Sequence, residues 1–233
     1  MRWAFTVAAA LYVSTLVIAA QQQEAVPAPK PPSARFDMEV RADFFAGFSG
    51  NEAAFKRAMA RCEEVLAMDP DHAEALVWHG SGISSMAGRA FQAGDMQHGI
   101  QLWTKGLAEM NKAVELAPDD VGVRIPRGAT LFEATRHLPD ANQQQALLRV
   151  ALSDYEHTLM LQKAIFSGLS DHAKGELLFG LAEGWSRAGD KDKAKHYFER
   201  LIADAATSGR TTYAKAWLDG APPASLGRCV GCH

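Results

Sequence analysis

Three side chains at the end of this sequence have the types and spacing to hold an iron porphyrin: Cys229, Cys232 and His233. Two thiols separated by Val230 and Gly231 can both reach one edge of a flat ring and add to its vinyl groups. The adjacent imidazole then supplies an axial nitrogen to the iron. C-x-x-C-H is the spacing of covalent haem attachment. Cysteine is scarce, with three in 233 residues, so two within five positions is a concentrated signal. Gly231 lets the backbone lie close to the ring. The expected cofactor is one covalent heme c, with Cys229 and Cys232 as the thioether residues and His233 as the metal ligand. A zinc site is the first alternative, since Cys and His also bind zinc, but a closed site needs a fourth ligand and none is nearby in sequence. A disulfide or an incidental tail is the second.

Elements on the amino-terminal side must export and position this motif. Arg2 gives a short positive region, Trp3 to Ala20 is almost wholly apolar, and Ala19 and Ala20 are small enough for cleavage. Residues 1–20 therefore read as a signal peptide. The run is also at the short end for a membrane span, so an uncleaved N-terminal membrane anchor is the competing reading. Both predict a chain outside the cytoplasm, periplasmic or secreted. Residues 21–35 hold Pro27, Pro29, Pro31 and Pro32 and read as an extended linker. Net charge is −3, from 24 basic and 27 acidic residues, and no basic patch points to nucleic acid.

Residues 36–220 read as all-α. Apolar spacing is helical, and no stretch alternates long enough for a sheet. A helix is expected over Glu52 to Met68, stopped by Asp69-Pro70, with the next one beginning near Asp71 or His72 and Asp71 a good N-cap. Thr211 to Leu218 reads as a short capping helix, ended by Gly220 and Pro222-Pro223. Pro70 aligns with Pro118 and Gly80 with Gly128, both at an offset of 48. Leu178, Leu181, Ala182 and Trp185 precede Gly189, Ala194 and Phe198. An earlier unit has Leu76, His79, Gly80 and Ile83, then Gly106, Met110, Ala113 and Pro118. A partial first unit has Ala58, Cys62 and Pro70, and a degenerate middle one Gly128, Leu131, Ala151 and Tyr155.

These residues resemble the tetratricopeptide repeat, most clearly in the last unit. The resemblance implies an antiparallel helix-pair solenoid in which small residues sit at each helix crossing and neighbouring pairs share a core. It also implies a surface that docks a peptide or protein. The family's period is 34, so an offset of 48 predicts extra residues between the two helices of one unit, around Gly88 to His98. An ordinary helical bundle is the alternative.

Residues 221–233 form the expected haem-attachment tail. The motif resembles that of c-type cytochromes, which implies haem attachment after export. Small cytochromes c carry the motif early and wrap the following chain round the haem, so their fold is not expected here. The pocket must then come from upstream residues or another protein. A carboxylate on His233 itself is expected to stabilise ferric iron and lower the reduction potential.

Other residues have quieter readings. Cys62 reads as a core thiol. His79 takes a leucine site and is expected to be buried. His72, His98, His137, His157, His172 and His196, with several methionines, are the remaining candidates for a second axial ligand. No P-loop, H-E-x-x-H, G-x-S-x-G or second Cys pair points to an enzyme. The sequence as a whole predicts an electron carrier that docks a redox or envelope protein partner. An envelope interaction scaffold without redox role is the alternative, and a haem enzyme or gas sensor with an open iron site is the second.

Overall fold

A computed structural model describes residues 35–221. The signal or anchor segment, most of the linker and the haem motif lie outside the described residues. Those described form helices and no strand. In order they are α1 (Asp37–Phe48), α2 (Glu52–Met68), α3 (Ala73–Gln92), α4 (Met96–Leu116), α5 (Val121–Ala134), α6 (Ala141–Leu161), α7 (Asp171–Ala188), α8 (Lys191–Asp204) and α9 (Thr211–Leu218). A 3-10 turn, Phe166–Gly168, lies between α6 and α7.

The first eight helices form four antiparallel pairs. Three turns between paired helices share one device. Gly50, Gly94 and Gly189 have φ of +105°, +81° and +87°, a left-handed conformation that costs glycine little. Asn51, Asp95 and Asp190 follow them, and each side chain accepts the backbone N–H three residues on. One helix is stopped and the next is capped within two residues. The α5–α6 turn lacks the glycine, and α6 starts on Asp140, which accepts from Gln143 N–H.

Within pairs, small residues set the approach. A Cβ on Gly80 would lie 2.7 Å from the Gly106 carbonyl oxygen, and one on Gly106 would lie 2.6 Å from that of Gly80. The α3 and α4 backbones therefore touch. In α5–α6, Gly128 receives the Tyr155 ring, which a Cβ would meet at 2.8 Å. Fully buried Asp154 of α6 accepts from Arg124 and, in a bidentate pair, from Arg127 of α5. In α7–α8, Ala182 and Ala194 are buried beside Leu178, Phe179 and Phe198.

Neighbouring pairs share these faces. Phe44 of α1 stacks on Trp78 of α3, with centroids 5.3 Å apart. Thr130 of α5 donates to Ser81 of α3 (2.9 Å). Tyr155 also fills the notch at Gly180 of α7. One core runs from Phe36 through Leu181, and a second joins α7, α8 and α9. This is the all-α helix-pair array expected from the repeat, closed by α9 over Thr211–Leu218.

Two sequence expectations need correction. Asp71 does not cap α3. His72 does, its Nδ1 accepting Ala75 N–H at 3.2 Å, while Asp71 pairs with Lys112. Nor do residues 88–98 form an inserted segment. The extra length is taken up by the helices themselves, 20 residues in α3 and 21 in α4, with Gly94-Asp95 as a tight turn between them.

Candidate functional site

Cys229, Cys232 and His233 lie outside the described residues, and the described chain ends before them. Its last residue is Ala221, after the left-handed Gly220 that closes α9. Trp217 in the last turn of α9 fixes this end. Its ring lies 4.8 Å from that of Phe198, and its Nε1 donates to Ser186 Oγ (3.1 Å).

Cys62 bears on the motif because it is the one other thiol of the chain. It is fully buried in α2, packed in the core as expected. Burial pushes its thiol up to about 12, helped by the negative charges of Glu63 and Glu109. A protonated thiol shut in the core is a poor nucleophile and a poor ligand. It does not compete for the motif cysteines in the folded protein.

The histidines differ in how far they are exposed. His79 is buried, as its leucine-like site predicts, with Nδ1 2.7 Å from Glu109 and Nε2 3.7 Å from Glu63. His72 is spent on its cap, and His157 Nε2 lies 2.6 Å from Asp119. His98, His137, His172 and His196 are exposed. Among the described residues no cluster of three or more His, Cys, Asp or Glu side chains could hold a metal ion.

Between α6 and α8 lies an open groove of about 390 Å³. Glu156, Leu159, Met160 and Lys163 of α6 line it, with Phe166 of the 3-10 turn and Arg200 of α8. Met160 is 56% exposed, much like Met96 and Ile100. The Arg200 guanidinium lies 5.4 Å from the Phe166 ring centroid. Glu156 accepts from Trp185 Nε1 (3.1 Å), and Lys193 covers the Trp185 ring. Tyr197 beside them has its hydroxyl pKa raised, first by burial and then by the Glu156 charge. Sequence reading did not single out this groove. Its residues come from two helices and a turn, and no periodicity joins them.

No family model matches the chain, and no curated protein matches it. Among solved structures it is similar to a monomeric mutant of IFIT1 determined with Gppp-AAAA. The identity is 15%, over 72% of this chain and 50% of that one, with a TM-score of 0.36. This chain thus spans half the length of that protein.

Proposed function

We propose that this chain is an exported mono-haem, c-type cytochrome-like electron carrier. Covalent heme c is held by Cys229 and Cys232, and His233 binds the iron. The observation that carries this reading is the C-x-x-C-H run itself, in a chain with one other cysteine. Two thiols and an imidazole are the donor types a covalent haem needs, and Cys62, buried in the core, is not a competitor for the ring. Bound haem supplies a one-electron couple at its iron. The chain's own residues do the rest. Cys229 and Cys232 would hold the ring through thioethers, His233 would bind the iron, and the helix pairs present a surface for a redox partner. A haem on a short tail suits transfer between proteins, where approach distance limits the rate. Residues 1–20 would take the chain to the periplasm or beyond, as a cleaved signal or a retained anchor.

A second reading is an envelope scaffold without redox role. The array of helix pairs favours it, because such arrays offer extended surfaces to partners. Mass spectrometry of the full chain, exported in a host that matures c-type haem, separates the two. The carrier reading expects the added mass of one haem, retained after denaturation and lost in Cys229→Ser/Cys232→Ser. An unmodified mass with free thiols favours the scaffold.

A further inference from the structure

Pro126 is the sixth residue of α5, buried and past the first turn of the helix. It has no N–H to give the Gly122 carbonyl, and its ring crowds that oxygen. An interior proline normally kinks or breaks a helix. Yet α5 runs unbroken over Val121–Ala134. Contacts from outside the helix must hold its two halves together.

Buried Asp154 of α6 is placed to do so. Arg124 and Arg127 stand about one turn apart on α5, one on each side of Pro126. Both reach the same carboxylate oxygen. Arg124 Nη1 donates to Asp154 Oδ1 (2.9 Å), and so does Arg127 Nη2 (2.7 Å). Arg127 Nε donates to Oδ2 (2.7 Å). The other arms of the two guanidiniums are anchored as well. Arg124 Nε donates to the Pro118 carbonyl before α5, and Arg127 Nη1 to Asn111 of α4 (3.1 Å). The two helices are close here, since a Cβ on Gly128 would lie 3.3 Å from the Asp154 Cβ. Asp154 is fully buried, where charge-assisted hydrogen bonds are strong.

A break at this point would reach beyond α5. Before Pro126, Gly122 lies on α3, where a Cβ would meet the Glu74 carboxyl carbon at 3.5 Å. After it, the end of α5 holds α7. Arg187 Nη1 donates to the Phe132 carbonyl (3.0 Å) and Nη2 to Thr135 Oγ1 (2.7 Å). Bending α5 at Pro126 changes the angle between the second helix pair and the fourth, and parts Thr130 from Ser81. We propose that Pro126 is a joint in the helix array and that the Arg124–Asp154–Arg127 bridge is the splint that keeps α5 continuous across it. Neither part needs the haem motif.

Hydrogen exchange of the full chain, read on the α5 amides, tests this through a double-mutant cycle. Arg124→Met removes one side of the splint and leaves one guanidinium on one carboxylate. It should speed α5 exchange about ten-fold, the size of one lost charged hydrogen bond, and leave α8 and α9 unchanged. Pro126→Ala alone should change α5 exchange little. Added to Arg124→Met, it should restore the wild-type rate, because the helix then supplies its own bond. If Arg124→Met fails to fold, Arg124→Lys keeps the charge, loses the fork and is read in the same way. A double variant that exchanges as fast as its arginine parent overturns the splint. So does a Pro126→Ala that protects α5 equally with and without Arg124, or a lost Arg124 that leaves α5 at the wild-type rate.

Discussion

The α3–α4 and α7–α8 pairs are built on one plan and closed in different ways. Both turn on a left-handed glycine followed by a capping aspartate, Gly94-Asp95 and Gly189-Asp190. In α7–α8 the crossing is made by alanines, and side chains such as Phe198 fill the space. In α3–α4 it is made by Gly80 against Gly106, backbone on backbone, in helices of 20 and 21 residues. Helix length in this array is thus independent of the turn. A pair can grow at both helices and keep its crossing, provided the small residues stay.

The largest effect expected from this contrast is at the crossings. Gly80→Ala should destabilise by about 1–3 kcal/mol, because the new Cβ meets a carbonyl oxygen that cannot move without its helix. This holds although alanine is the better helix former. Ala182→Gly in the other pair should cost about 1 kcal/mol, through helix propensity. Urea unfolding of both variants checks the order, and a stabilising Gly80→Ala would break the comparison. The turns come next. Gly94→Ala and Gly189→Ala should each cost about 1–2 kcal/mol, since both need positive φ. Equal losses would sharpen the claim that the two turns are one device.

The effect that vanishes at neutral pH concerns the first pair. Cys62 ionises at about 12 when folded, against 9.0 for an ordinary thiol. A raised acid pKa favours the protonated folded form. Its contribution is full below about 9 and is lost as pH rises toward about 12. Cys62→Ala should flatten the alkaline limb of the stability curve and leave its slope at neutral pH unchanged. A thiol reagent should label Cys62 only on unfolding.

Much of this was legible in the residues, and the misses have physical causes. The bounds of α2 follow from the Asn51 side-chain cap and from Asp69-Pro70, and the end of α9 from left-handed Gly220, because these act locally on the helix. Asp71 looked the better cap for α3 by side-chain type, yet the turn from Asp69 places His72 at that position. The α3–α4 turn was hidden by the family's shorter period. Its signal was present in Gly94-Asp95, which repeats Gly50-Asn51 and Gly189-Asp190. The C-x-x-C-H run stands out because its residues are consecutive, and it lies outside the described residues. The groove does not stand out, because Met160, Phe166 and Arg200 meet only once α6, the turn and α8 have packed.

The most direct measurement is an optical spectrum of the purified, exported full chain, oxidised and then reduced. The account predicts a coloured protein whose reduced form shows the sharp visible bands of low-spin haem, and in which replacing Cys229 and Cys232 removes the colour. A colourless protein matured under those conditions would contradict it.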